Sequence, residues 1–176
     1  MLDLCQPLPV KVFAAVLYRE EAAWEEALPR LAAQWGSAAC AALAIPFDLT
    51  DYYEPEMGPG LGRRFVSFAD LVCPDQLSRL KHEANEVEAA SCRAGQRTVN
   101  VDVGYLDLHK VVLASTKEGP CKVYVGQGIW ADVTLRYRKG AFDSFPWTFP
   151  DFAGGRYDAF LLALRENYKR QLREER

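Results

Sequence analysis

The sequence predicts one α+β domain built on a ferredoxin-like pair of strand–helix–strand units. Strand and helix patterns run from residue 10 to residue 103 in the order strand, helix, strand, strand, helix, strand. Two such units side by side give an antiparallel sheet with both helices on one face. A hairpin region over residues 110–139 and a final helix over residues 156–173 extend this core. A length of 176 residues fits a single domain over residues 1–176.

The first unit opens with a strand and a helix. Val10–Tyr18 is almost wholly apolar and rich in β-branched residues, which indicates a strand buried on both faces. Residues 19–35 repeat apolar side chains at helical spacing, so a helix follows. Because Pro29 removes one helical hydrogen bond, we expect a kink at this residue or a helix that begins near Leu28.

Two strands and a second helix continue the pattern. Residues 40–47 alternate, with Leu43 on the apolar face, and predict the second strand. Residues 63–68 predict the third strand. The following helix has Pro74 at its first position and an apolar stripe that includes Leu80.

The fourth core strand and a hairpin come next. Residues 98–103 alternate between valine and polar residues, and residues 111–115 form an added strand. The strands at 121–125 and 129–137 flank a three-residue loop, in which Gly128 adopts the left-handed conformation. This loop length sets three pairs opposite one another, namely Lys122 with Asp132, Val123 with Ala131, and Tyr124 with Trp130.

The chain closes with a helix over residues 156–173, whose buried stripe includes Leu164. An aromatic segment interrupted by prolines, residues 145–152, precedes it. Aromatic side chains of this kind stack bases in proteins that bind single strands. We favour the other role, in which the segment covers the sheet and leads the helix into place.

The composition limits the class of protein. Hydrophobic residues make up 49% and charged residues 26%, which argues against wholesale disorder. A formal net charge of -3 disfavours a dedicated nucleic-acid binder, because such proteins carry a basic excess. The longest apolar run is far shorter than the roughly 20 residues that span a bilayer. The first ten residues also lack the basic start of a signal peptide.

The five cysteines indicate a reducing compartment. Their number is odd, their spacing is wide, and no C-x-x-C pair occurs. A disulfide framework or a zinc site would pair them more closely. We therefore expect free thiols that are buried or half-buried, in a cytoplasmic protein.

Several segments together resemble a known family. They are FDLTDYYEPEMGPGL at residues 47–61, RRFVSF at 63–68, VNVDVGYL at 99–106, KVVLASTK at 110–117 and YRKGAF at 137–142. On these residues the chain is similar to the bacterial family called domain of unknown function 4416, from about Pro9 to the last helix. The resemblance implies a bacterial protein, and it implies no particular reaction, ligand or fold.

The loop after residue 47 is rich in carboxylates and phenols. Its candidate ligand-binding residues are Asp48, Asp51, Tyr52, Tyr53 and Glu56. Carboxylates that lie close together hold Mg²⁺ or act as acids and bases. The alternative is a solvated loop with Asx turns at its two aspartates.

Polar residues also mark the fourth core strand. Asn100 and Asp102 share one of its faces, and Tyr105 follows them. These residues fit the rim of a binding site, and they fit equally the solvent face of an edge strand.

Basic residues lie on or beside the strands. The candidates are Arg63, Arg64, Lys110, Lys117, Arg136 and Arg138. Brought together in space they would bind phosphate or carboxylate, with arginine making two contacts at once. The alternative is that they protect exposed sheet edges from pairing.

Two functions remain open. In the first, the chain binds or acts catalytically on an anionic, nucleotide-like small molecule, and the acidic loop and the basic residues line one pocket for it. Lys110 and Arg138 then attract the ligand, and Asp51 and Asp102 hold Mg²⁺ or orient the ligand. In the second, the chain is a non-catalytic interaction module that docks a protein partner or a second copy of itself as a homodimer.

Overall fold

The computed structural model describes residues 5–174, and these form one antiparallel sheet with helices on both faces. The strands are β1 Val10–Tyr18, β2 Ala38–Ala41, β3 Ile45–Pro46, β4 Gly62–Val72, β5 Val99–Leu106, β6 Lys110–Ser115, β7 Lys122–Gly126, β8 Ile129–Arg138 and β9 Ala141–Ser144. The helices are α1 Glu21–Trp35, α2 Glu54–Met57, α3 Leu77–Ala90, α4 Pro150–Ala153 and α5 Asp158–Glu174. The predicted combination of helices with a large antiparallel sheet is confirmed.

The sheet is organised around β1. Its strands follow the order β2-β4-β1-β5-β6-β8-β7, with β3 also paired to β4 and β9 also paired to β8. Every residue of β1 is buried, because β4 and β5 flank it and helices cover both of its faces. The prediction of a strand buried on both faces is confirmed.

Alternate residues of β1 point into two separate cores. Val12, Ala14 and Val16 pack with α1 and α3 on one face of the sheet. Phe13 and Ala15 pack with α4 and α5 on the other face. A third, small core of Leu17, Met57 and Leu61, with Phe47 and Tyr53 packed against it, holds the acidic loop and α2 onto the end of β1.

The region predicted as the second strand is divided. β2 and β3 replace the single strand predicted at residues 40–47, and Leu43 between them is 87% exposed. Both short strands pair only with β4. The alanine-rich segment has little apolar surface to bury, and Pro46 has no amide hydrogen for a ladder.

The helix predictions need one correction. α1 begins at Glu21 and continues through Pro29, so the prediction of a helix that begins near Leu28 is wrong. A buried stripe that runs from Ala23 to Trp35 holds the helix against the sheet on both sides of the proline. Packing of this stripe outweighs the hydrogen bond that Pro29 removes.

All three predicted pairs of the β7–β8 hairpin are confirmed. The predicted three-residue loop is not, because Gly126 pairs with Ile129 and leaves Gln127 and Gly128 as a two-residue turn. Both turn residues have positive φ, as hairpin turns of this length require. A register irregularity between Tyr124 and Gly126 restores the predicted pairing.

The cysteines are free thiols, as predicted, but their placement differs from the expectation. Cys5, Cys73, Cys92 and Cys121 are exposed, and Cys40 alone is half-buried. Each exposed cysteine lies outside the strands and the α-helices, where no core surrounds it. Among the helices of residues 5–174, none has the length and apolar character needed to cross a bilayer.

The two predicted helix stripes can be tested by truncation. Leu80 and Leu164 are both 1% exposed and lie in the two opposite cores. Leu→Ala at either position should lower the free energy of unfolding by about 2–5 kcal/mol, measured by urea denaturation. Leu43→Ala is the matched control and should change it by less than about 0.5 kcal/mol. Equal effects at all three positions would contradict the assignment of the two cores.

Candidate functional site

A buried arginine lies where the acidic loop meets the sheet. Arg63 near the start of β4 is only 3% exposed. One guanidinium nitrogen donates to Asp102 of β5 at 2.8 Å, and another donates to Asp151 of α4. Burial alone would lower the pKa of Arg63, but the two carboxylates outweigh burial and raise it. The guanidinium of Arg63 therefore joins three elements that are distant in sequence, namely β4, β5 and α4.

Aromatic rings surround this ion cluster. The Arg63 guanidinium lies 4.6 Å from the ring centre of Phe47 and 5.9 Å from that of Tyr157. The Tyr157 hydroxyl donates to Asp151 at 3.1 Å. Burial raises the pKa of Tyr53 and of Tyr157, and this effect outweighs the nearby charge of Arg63, which lowers both pKa values. Both phenols are therefore protonated at neutral pH and can donate hydrogen bonds.

A second arginine extends the network toward solvent. Arg97, between α3 and β5, donates from two nitrogens to the two oxygens of Glu56 at 2.7 and 2.6 Å. It also donates to Glu88 and to Asn100, each at 2.9 Å. The Asn100 amide donates to Asp102 at 3.1 Å, which connects this cluster to the buried one. Glu56 and Arg97 are both partly exposed.

The sheet opens beside this network. β6 pairs with β5 only from Gly104 to Leu106, so the first half of β5 has no strand on that side. Side chains of α3 take its place, since Glu88 accepts from the Val101 amide at 2.7 Å and Lys81 donates to the Val101 carbonyl at 2.9 Å. These buried charges satisfy a strand edge that would otherwise be unpaired.

Tyr52 contacts Lys117, which follows the end of β6 beyond the last residue of that strand that pairs with β5. Tyr52 is 61% exposed, and its hydroxyl lies 2.5 Å from the Lys117 ammonium. That hydrogen bond, with the positive charge of Lys117, lowers the pKa of Tyr52. Arg97 lowers it further and Glu56 opposes the shift. The Tyr52 ring packs edge-on against Tyr53, which directly precedes the helix α2 that carries Glu56. We refer to Tyr52, Tyr53, Glu56, Arg97 and Lys117 as the α2–β5 site.

The structure brings half of the sequence-predicted residues to this region. They are Tyr52, Tyr53, Glu56, Arg63, Asn100, Asp102 and Lys117. Asn100 and Asp102 do not form a solvent face, because Asn100 is buried and Asp102 is partly buried, although this half of β5 pairs only with β1.

Other predicted residues of the loop and of β4 face elsewhere. Asp48 and Asp51 line an open cleft of about 840 Å³ on the side of the loop next to α1. Asp48 accepts from Arg156 at 2.5 Å, and Arg64 pairs with Glu21 of α1 at 2.7 Å. Tyr105 packs, partly buried, against the core that contains α1 and α3.

The remaining cations lie at the far end of β6. Lys110 stands opposite Arg136 in the β6–β8 ladder and pairs with Asp107. Arg136 and Arg138 share Asp143, at 3.4 and 2.9 Å. The six-residue strand β6 separates Lys110 from the end that leads to Lys117, a span of roughly 16 Å. Lys110 and Lys117 therefore belong to separate regions.

The sequence patterns do not identify three residues of the network, namely Glu88, Arg97 and Asp151. Arg97 lies outside any periodic pattern, so nothing in the sequence relates it to Glu56. Asp151 offered more, because it is a carboxylate inside an aromatic segment. A charge among residues bound for the core requires a buried partner of opposite sign.

For the proposed Mg²⁺, residues 5–174 contain no group of three or more His, Cys, Asp or Glu side chains placed to hold a metal ion.

Comparison with known proteins gives one match. The family model described as Domain of unknown function (DUF4416) matches residues 8–168, which is nearly the whole chain. No curated protein and no solved structure is significantly similar to the chain.

The buried ion cluster predicts a large effect on stability. Arg63→Met leaves Asp102 and Asp151 without their cation, and removal of one partner from a buried pair costs about 3–5 kcal/mol. The neighbouring change Arg64→Met breaks a more exposed pair and should cost about 1 kcal/mol or less. Urea denaturation of both variants measures the difference. Similar losses would show that Arg63 is not an organising charge.

The contact between Tyr52 and Lys117 predicts a change in titration. Lys117→Met removes the hydrogen bond and the charge that lower the pKa of Tyr52, so this pKa should rise toward that of an unperturbed tyrosine. NMR of ring-labelled tyrosine measures it, with Tyr52→Phe to assign the resonance. Lys139→Met, which removes a lysine from the β8–β9 turn, should leave the pKa unchanged. A Tyr52 pKa that does not respond to Lys117→Met would contradict the contact.

Proposed function

The chain belongs to the family Domain of unknown function (DUF4416), and we propose that it binds an anionic small molecule at the α2–β5 site. The supporting observation is the two-point contact between Arg97 and the carboxylate of Glu56. A ligand carboxylate or phosphate presents the same pair of oxygen acceptors to a guanidinium. In this proposal Glu56 occupies the position of the ligand anion when the site is empty.

Displacement of Glu56 by an anion exchanges one two-point contact with Arg97 for another. The Glu56 side chain is 42% exposed, so water can hydrate its carboxylate once it is released. Arg97 meanwhile stays oriented by Glu88 and Asn100, which do not depend on α2. An incoming anion therefore meets a guanidinium that is already positioned.

A second cation and an exposed ring define the ligand further. Lys117 adds a positive charge where its ammonium contacts the Tyr52 hydroxyl. The exposed ring of Tyr52 offers a surface on which a planar group can stack. Two cations beside an aromatic ring suit a nucleotide-like ligand, with its phosphate at Arg97 and Lys117.

We also propose a ferredoxin-like core for the sheet and a cytoplasmic location for the protein. Strands β2, β4, β1 and β5 lie in that order, and α1 and α3 cover one face, which supports a ferredoxin-like unit as the core of the sheet. Five free thiols support a cytoplasmic location. The bacterial origin is proposed from the family resemblance alone.

Calorimetric titration with inorganic phosphate, AMP and GTP tests the proposed site. Arg97→Lys keeps the charge that Glu88 needs but removes the two-point contact, and it should weaken binding by about 10- to 100-fold. Lys117→Met should weaken binding in the same direction. Glu56→Gln removes the competing carboxylate and should tighten binding by up to about fivefold.

The controls are Lys110→Met and Arg138→Met, whose cations lie in another region and should leave binding unchanged. Weaker binding in these two variants, with no effect of Arg97→Lys, would place the ligand at the far end of β6 instead. Failure of all three compounds to bind in the millimolar range would end the proposal.

A further inference from the structure

The outer edge of β8 is covered by two short strands with a gap between them. β7 pairs with residues 129–132 of β8, and β9 pairs with residues 135–138. Side chains fill the gap, since the Trp147 indole donates to the Val133 carbonyl at 3.1 Å and the Thr148 hydroxyl donates to the Thr134 carbonyl at 2.6 Å. β7 itself ends the sheet, and within residues 5–174 it pairs with no other strand.

Exposed hydrophobic side chains concentrate at this edge. Of the nine large hydrophobic residues exposed within residues 5–174, five lie on β7 or in the segment that fills the gap. They are Val123 (64%), Tyr124 (55%), Val125 (40%), Trp147 (41%) and Phe149 (47%). Lys122 of β7 lies over the Phe149 ring at 5.9 Å, so the segment lies beside the face of β7 that carries Lys122 and Tyr124. Val123 points to the other face of the strand. We refer to these five residues as the β7 patch.

We propose that the β7 patch is the contact surface of a homodimer in which β7 pairs with β7 of a second copy. An edge strand with free main-chain groups and apolar side chains pairs readily with another strand, and natural edges are normally protected against this by charges or prolines. β7 carries no proline, and its single charged residue, Lys122, lies at its start.

The sequence of β7 is complementary to itself. In an antiparallel pair centred on Tyr124, Val123 meets Val125 of the copy and Lys122 meets Gly126. In a pair centred on Val123, Lys122 instead meets Tyr124 of the copy. Neither arrangement places two like charges opposite one another, which would be destabilising. The Val125 and Gly126 carbonyls already accept from the Ser78 hydroxyl, at 3.0 and 3.1 Å, and the pair centred on Val123 leaves these contacts in place. A second copy therefore pairs with residues 122–124.

The area of the patch agrees with a dimer of standard size. An interface of about 800 Å² per partner, a little over half of it non-polar, needs roughly 450 Å² of apolar surface. A buried aromatic side chain accounts for about 150–250 Å², so the three half-exposed rings supply roughly 300 Å². The two valines provide much of the remainder.

Sedimentation analysis of the full chain tests this inference, which is independent of the proposed ligand site. The protein should form a dimer, and Val123→Lys should raise the dimer dissociation constant by about a hundredfold or more, because it brings like charges together across the contact. Leu43→Lys, at an exposed leucine elsewhere, should leave the dimer intact. Phe149→Ser should weaken the dimer, because it removes a ring at the edge of the patch. This substitution leaves the sequence of β7 unchanged.

Amide hydrogen exchange tests whether β7 itself forms the contact. Of the Val123 and Tyr124 amides, the one that points away from β8 should exchange more slowly as the protein concentration rises in the natural sequence, but not in Val123→Lys. A chain that stays monomeric at its solubility limit would overturn the proposal. So would a dimer that withstands both Val123→Lys and Phe149→Ser, or a monomer whose β7 amides are protected only when a single-stranded oligonucleotide is added.

Discussion

The buried charge of Arg63 is the interaction on which the rest of the structure depends. A guanidinium cannot be buried without compensation, because the desolvation penalty is several kcal/mol. Asp102 and Asp151 provide that compensation from β5 and from α4. The C-terminal segment must therefore dock onto the sheet for Arg63 to be stable. Its docking also places Phe152 and Tyr157 against Phe65 and completes the second core.

The same charge organises the candidate site, although it does not itself face a ligand. Asp102 is held by Arg63 and accepts from Asn100, and Asn100 accepts from Arg97. Each hydrogen bond fixes the orientation of the next side chain, so the exposed guanidinium of Arg97 is positioned by a buried one. A site ordered in this way loses little conformational freedom when an anion arrives, which favours binding.

Sequence patterns predicted the parts of the fold that periodicity controls. The buried β1, the apolar stripes of α3 and α5, and the pairs across the β7–β8 hairpin all follow from the spacing of side chains in a single segment. The division of β2 from β3 does not follow from this spacing. The conformation of a weakly apolar edge segment depends on the elements that pack against it. Half of the predicted site residues lie in the region of the candidate site, because the sequence identifies residues by type. It does not show which cations contact which carboxylates, since those contacts depend on strand order. Lys110 and Lys117 are close in sequence, yet β6 carries them to opposite ends.

Strand order in turn depends on one close approach. A Cβ atom at Gly104 would lie 2.2 Å from the Val112 carbonyl oxygen, so only glycine lets β5 and β6 meet there. On one side of this contact the strands pair, and on the other side they separate and leave the opening beside Val101. Past the opening, the Lys122 ammonium of β7 donates to Ser115 at 2.9 Å and to the Lys117 carbonyl at 3.3 Å. Because Lys117 in turn contacts Tyr52, the position of this cation depends on β7 as well as on the acidic loop. The candidate site is thus bounded on one side by the network of Arg63 and on the other by the outer edge of the sheet.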